Sequence, residues 1–242
     1  MEQLNLKKQR IFKSLPFKCS YISNMNEQRL IIKLDKGHNN QNHFDALMKK
    51  GFRRNMDHMY FPICENCNSC ISSRVKINGF SYSKSQKRNI KKNQSFLFVK
   101  KTLSKDVERY TLFKKYTENR HSDGLMKSMT FNEFLNFINN SPVNSTLYDL
   151  VDSENKILGS MLFDTVDHGL SAVYSFYDPE FIKNGLGTYM ILKAIEMSDY
   201  LNLDYLYLGY WIKESKKMNY KASFNNLEIF ENGKWNFMNK VK

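Results

Sequence analysis

The sequence predicts a mixed α/β (α+β) fold, and three observations lead there. Short runs of β-formers alternate with amphipathic stretches that begin on helix-capping residues. Gly and Pro are sparse, 10 and 4 in 242 residues, which leaves little room for linkers or low-complexity tracts. Hydrophobic residues make up 41% and aromatics 14%, enough apolar surface to offset the entropy of ordering the chain.

Element by element, residues 29–34 (RLIIKL) read as a strand and 41–50 as a helix stopped by Gly51. Residues 52–62 read as extended, and 71–77 as a further strand. A basic helix is expected over 84–93, and 96–100 is rich in β-formers. Ser104, with Asp106 and Glu108 in the first turn, opens a helix to about residue 119. Thr130 caps another over 131–139, stopped before Pro142. The rhythm then changes: 145–152, 156–164 and 169–177 are three strands joined by short turns. After a loop at 178–183 and the turn Asn184-Gly-Leu-Gly187, a helix runs from 188 to about 201, and 204–210 is an apolar strand suited to burial on both faces. This order is the outline of an N-acetyltransferase-like (GNAT) acyltransferase core. A boundary is expected near residue 100, with the cysteines and the basic helix in 1–100 and the acyltransferase-like domain in 101–242.

Several function classes drop out. The apolar stretches are far shorter than the roughly 20 residues of a membrane span. The basic N-terminus lacks an apolar signal core. A cytoplasmic protein with no membrane partner is the expectation.

The net charge of +13 is unevenly spread: residues 66–105 hold ten Lys and Arg and no Asp or Glu. Within that window Lys84, Lys87, Arg88, Lys91 and Lys92 recur at helical spacing. A stripe without acidic partners repels itself, and a polyanion compensates it by releasing counterions, which points to nucleic acid. Cys64, Cys67 and Cys70 at two-residue gaps, with Cys19 upstream, form either a tetrathiolate site for zinc or an iron–sulfur cluster, or small packing residues. A closed four-thiolate site would be structural or regulatory. Gly185, Gly187 and Thr188 at a helix start present backbone N–H groups to a phosphate or an acyl carbonyl. Tyr174 and Asp178 are expected at one sheet end. Lys217 and Lys221, four apart and flanking Tyr220, form a like-charge pair suited to an anion.

Several stretches occur in a fixed order: Phe52-Arg53-Arg54, the Cys64–Cys70 set, Ser73-Arg74-Val75, Arg120-His121-x-x-Gly124, Ser171 to Pro179, Leu186-Gly-Thr-Tyr189, and Tyr207-Leu-Gly-Tyr-Trp211 through Lys217 to Lys221. Together they resemble the bacterial aspartate/glutamate leucyltransferases, relatives of the arginyl-tRNA–protein transferases, over nearly the whole chain. Asn184-Gly185 departs from the Arg-Ser expected there. The resemblance implies transfer of leucine from leucyl-tRNA to the N-terminal Asp or Glu of a protein, marking it for degradation by the N-degron route. It needs no cofactor for the chemistry. For that reaction the residues suggest roles. The basic stripe would hold tRNA phosphates, and Gly185, Gly187 and Thr188 the terminal adenosine or the ester. Asp178, Tyr174 or His121 would orient or deprotonate the acceptor amine, and Arg74, Lys217, Tyr220 and Lys221 would bind the acceptor, the cations reading its acidic side chain. Rival readings are an arginyl donor, a coenzyme A-dependent acyltransferase, and a non-catalytic metal-thiolate RNA-binding module.

Overall fold

A computed structural model describes residues 10–34, 40–120 and 125–239. Its strands, in chain order, are β1 (Ile11–Lys13), β2 (Phe17–Lys18), β3 (Asn26–Glu27), β4 (Arg29–Lys33), β5 (Arg53–Asn55), β6 (His58–Pro62), β7 (Ile71–Lys76), β8 (Leu97–Lys100), β9 (Ser145–Val151), β10 (Ile157–Val166), β11 (Gly169–Tyr177), β12 (Tyr205–Trp211), β13 (Leu227–Glu231) and β14 (Lys234–Phe237). The helices are α1 (Asn40–Lys49), α2 (Lys84–Asn93), α3 (Asp106–Arg120), α4 (Phe131–Asn139) and α5 (Leu186–Tyr200). Among the described residues no helix is long and apolar enough to cross a membrane.

The expected acyltransferase order is present. β9, β10 and β11 form an antiparallel meander, α5 crosses over, and β12 returns parallel to β11. These strands belong to an eight-stranded sheet of order β14-β13-β7-β12-β11-β10-β9-β8. β7 and β8 precede residue 101, so this sheet draws on both sides of the expected boundary. A smaller sheet, β1-β4-β6-β5, and the β2–β3 pair come from the N-terminal residues.

Local chemistry explains the elements. α2 starts on a reciprocal capping box between Ser83 and Gln86, and α4 on one between Thr130 and Glu133. α5 begins two residues before its expected start, because Gly185 at φ +65° closes a 3-10 turn over Pro179–Asn184 and opens the helix at once. α5 buries Leu186, Tyr189, Met190, Leu192, Ala194 and Ile195 against one face of the large sheet, while α3 and α4 bring Phe113, Phe134 and Phe137 to the β10–β11 region.

Two buried ion pairs bolt layers together. Arg109 on α3 grips Asp149 on β9 through Nε at 3.0 Å and Nη2 at 2.6 Å, and Ser160 Oγ donates to the same carboxylate at 2.7 Å. Arg54 on β5 makes a two-pronged pair with Asp164 on β10, at 2.6 and 2.7 Å, tying the small sheet to the large one. Neighbouring strand residues point to opposite sides, so anchoring Arg54 this way frees Arg53 to reach elsewhere.

Candidate active site

β11 and β12 are paired only over Gly169–Ser171 and Tyr205–Tyr207. Continuing that register would set Val173 opposite Gly209. Instead the half-buried Arg53 reaches both strands: its Nη2 donates to the Val173 carbonyl at 2.7 Å, and Nη1 lies where a Cβ on Gly209 would be, 1.7 Å from that point. Gly209, at φ +75°, is therefore required by both its conformation and the guanidinium against it. The phenols of Tyr60, Tyr21, Tyr210 and Tyr220 lie within electrostatic reach of Arg53, and among the described residues it forms no ion pair with a carboxylate. Lys221 lies beside it, buried, with Nζ donating to the Tyr210 carbonyl at 2.7 Å and 5.1 Å from the Tyr220 ring centre. Burial pushes the Lys221 amine well below the ordinary lysine range, and the charge of Arg53 adds to the shift. A guanidinium and a buried amine thus share one recess at the C-terminal ends of a parallel strand pair, and among the described residues no carboxylate pairs with the guanidinium.

The start of α5 lies at the same end of β11. Asn89 Nδ2 donates to the carbonyls of Asn184 and Gly185, at 2.9 and 3.3 Å, and Asn93 and Asn184 exchange hydrogen bonds through their side chains and the Asn184 carbonyl. Lys92 Nζ donates to the Lys183 carbonyl at 2.8 Å. This clasp fixes the basic helix α2 against the glycine turn, with Lys84, Lys87, Arg88 and Lys91 exposed. Gly187 fits because the Tyr177 ring would come within 3.1 Å of a Cβ there. Gly185, Gly187 and Thr188 are partly exposed at the helix start, where the helix dipole favours negative charge.

Other residues singled out in the sequence have different surroundings. Arg74 is committed to Glu228 (Nη2 to Oε2, 2.7 Å) and packed over the rings of Tyr205 and Trp235. Lys217 does not join Lys221: the intervening chain turns into a 3-10 segment at Asn219–Ser223, leaving Lys217 exposed and Lys221 buried. Tyr220 is 41% exposed. Asp178 caps its own 3-10 turn, accepting from the Glu180 N–H at 3.0 Å, and pairs with Lys115 at 2.8 Å. Tyr174 packs among Phe113, Phe137 and Phe176, with burial raising its phenol far above the usual range, so it stays protonated at neutral pH. His121 lies outside the described residues.

Cys19, Cys64, Cys67 and Cys70 line one cavity of about 690 Å³ between the small sheet and the end of β12. Burial, then the nearby Glu27 carboxylate and the other three thiols, push the Cys70 thiol up to about 12. Among the described residues, no three Cys, His, Asp or Glu side chains converge in a geometry that holds a metal ion.

Two family models match the chain in sequence: the N terminus of arginine-tRNA-protein transferase over residues 17–88 and its C terminus over 108–231. The chain belongs to the arginine-tRNA-protein transferase family. Among similar members is the aspartate/glutamate leucyltransferase of Dinoroseobacter shibae, 38% identical over 230 residues, covering 91% of this chain and 80% of the relative. Another, from Saccharophagus degradans and bearing the same name, is 36% identical and covers 96% and 98%. Solved structures resemble it more distantly: L-PGS from Bacillus licheniformis (12% identity, 59% of this chain and 45% of that one, TM-score 0.44) and a GNAT-family acetyltransferase from Staphylococcus aureus Mu50 (14%, 53% and 81%, TM-score 0.42). Membership makes the protein an aminoacyltransferase. In this transferase the cation nearest the strand parting, Arg53, lies inside one of the sequence motifs, Phe52-Arg53-Arg54. Its signal was two adjacent arginines in an extended segment, where the alternation of sides gives one a carboxylate partner and leaves the other without.

Proposed function

We propose that this transferase conjugates leucine from leucyl-tRNA to the N-terminal Asp or Glu of proteins, with the acceptor carboxylate bound by Arg53 and Lys221. The observation that carries this reading is the Arg53 guanidinium, without a carboxylate partner among the described residues, in the parting of β11 and β12. A guanidinium fork suits a carboxylate. The names of the relatives favour leucyl over arginyl as donor. The exposed face of α2 would track tRNA phosphates, and the start of α5 would receive the terminal nucleotide, bringing the ester toward the parting.

In the reaction the acceptor amine attacks the leucyl ester carbonyl, a C–N bond forms and the ester C–O bond breaks. The amine gives up a proton and the departing ribose oxygen gains one. An α-amine has an ordinary pKa of about 7.7–8.0, so an appreciable fraction is neutral at working pH. Holding amine and ester together can supply about 7–11 kcal/mol of the barrier in good cases.

The test is incubation with leucyl- or arginyl-tRNA and peptides starting with Asp, Glu, Arg or Lys, followed by mass measurement. Leucyl addition to the acidic starts alone is expected; no addition to them overturns the reading.

Two expected results arise here. Changing Lys84, Lys87, Arg88 and Lys91 together to Gln should lower the slope of log affinity for tRNA against log salt by about 3, at roughly 0.7–0.9 for each phosphate no longer neutralised; binding titrations at several salt concentrations measure it. Because the Lys221 pKa is depressed without ligand, a carboxylate beside it favours the charged amine, so binding of an Asp peptide should take up protons over the pH range that separates the free and the bound pKa of Lys221. Calorimetry in buffers of different ionisation enthalpy reads the uptake, and it should vanish in Lys221→Met.

A further inference from the structure

Among the described residues, two buried polar atoms on side chains that line the cavity beside the cysteines have no hydrogen-bond partner. Glu27, 2% exposed on β3, gives one carboxylate oxygen to Arg29 Nε at 2.5 Å, while the other, Oε2, has no hydrogen-bond partner. Trp211 Nε1, at the end of β12, is likewise unpartnered. Both side chains line the same cavity. An unsatisfied buried carboxylate oxygen is costly, and a donor in the cavity would relieve it.

This cavity adjoins the Arg53 recess. Arg53 and Tyr60 are cross-strand partners on β5 and β6, the Arg29 guanidinium lies 4.4 Å over the Tyr60 ring, and Arg29 in turn holds Glu27. The Tyr60 and Tyr21 hydroxyls each feel both Arg53 and Glu27. Arg53, Tyr60 and Arg29 therefore stand in a row on one face of the small sheet, with a cation at one end and the Glu27 carboxylate held by Arg29 at the other, and among the described residues the first lacks a carboxylate and the second has one oxygen without a donor. An N-terminal Asp or Glu carries the complement: a side-chain carboxylate and, on the same residue, an α-ammonium.

We infer that Glu27 Oε2 accepts a hydrogen bond from the α-ammonium of the acceptor, so that the site reads the free N-terminus and the acidic side chain as one unit. This rests on the carboxylate reading of Arg53. Glu27 is then a specificity residue of the acceptor site: it excludes blocked N-termini and internal acidic residues, which lack the ammonium. The indole N–H of Trp211 is left to a carbonyl or carboxylate oxygen of the same acceptor.

The test compares two labelled peptides of identical sequence, one starting with Asp and one with a succinyl group, which is Asp without its amine. Binding to the full chain is followed by fluorescence anisotropy without tRNA. The wild type should bind the Asp peptide about 10- to 100-fold more tightly, the range for one charge-assisted hydrogen bond. Glu27→Gln should erase that difference by weakening only the Asp peptide. Glu27→Asp, which keeps a carboxylate beside Arg29, should narrow the difference, and it decides the matter if the Gln variant does not fold. Equal binding of the two peptides by the wild type overturns the inference. So does an undiminished difference in either folded variant. Failure of the underlying reading looks different: the succinyl peptide would then bind no better than an acetyl peptide lacking the acid.

Discussion

Arg53→Ala is expected to lower kcat/KM for Asp- and Glu-initiated peptides by about a hundredfold to a thousandfold, roughly 3–4 kcal/mol, while the slow background on an Ala-initiated peptide hardly moves. Removing one partner of a desolvated, hydrogen-bonded charge pair commonly has an effect of this size. Arg53→Lys should recover only part of it, since an ammonium keeps the charge but loses the fork that meets two carboxylate oxygens. Gly209→Ala offers an independent route to the same loss. The added methyl falls on Nη1, and the positive φ of residue 209 disfavours any side chain, so the guanidinium must leave the strand parting. Steady-state kinetics on the three peptides, with thermal midpoints as a check on folding, settle it. An unchanged ratio of Asp to Ala transfer in Arg53→Ala would sink the assignment.

The second large effect is on stability. Arg109→Met should destabilise the protein by about 3–5 kcal/mol, because Asp149 would keep only the Ser160 hydroxyl while remaining buried. At this chain length that corresponds to a fall of roughly 6–20 °C in the unfolding midpoint. The double variant Arg109→Met with Asp149→Leu should recover much of the loss, since the stranded charge, more than the missing bond, accounts for the penalty. Thermal or urea unfolding of the two variants measures it. A double variant as unstable as the single one would instead assign the effect to packing.

Much of the architecture was legible because period is written locally. The meander β9–β10–β11, the glycine turn, α5 and β12 follow from alternation, caps and turn residues that any short window reveals. β13 and β14 escaped notice: a five-residue strand and a four-residue strand around Asn232-Gly233 carry little pattern of their own. The terminal strands β1, β2 and β3 are only two or three residues long. For the site, the exposed stripe on α2 and the backbone turn at Gly185 could be read directly, since both depend on neighbours within a helical turn. Of the cations proposed to read the acid, Lys221 could be named from the sequence and Arg53 could not. Arg74 and Arg53 are equally basic in the sequence, and only the fold reveals that Arg74 meets Glu228, 154 positions away, while Arg53 meets a carbonyl. Lys217 and Lys221 show the complementary failure: a spacing of four places side chains together only on an α-helix, and this segment is not one.

The place of β7 in the large sheet has a consequence for how the protein is made. Its neighbours are β12 and β13, which begin at Tyr205 and Leu227. During synthesis the ribosome therefore releases β7 well over a hundred residues before either edge of it can be covered, and its Ser-Arg-Val segment waits without a ladder on both sides. Closing such a sheet is a late, long-range event. A nascent chain that stalls before residue 205 would present a bare strand to whatever other chains are near, so chaperone dependence and losses to aggregation should fall on this interval of translation more than on any other.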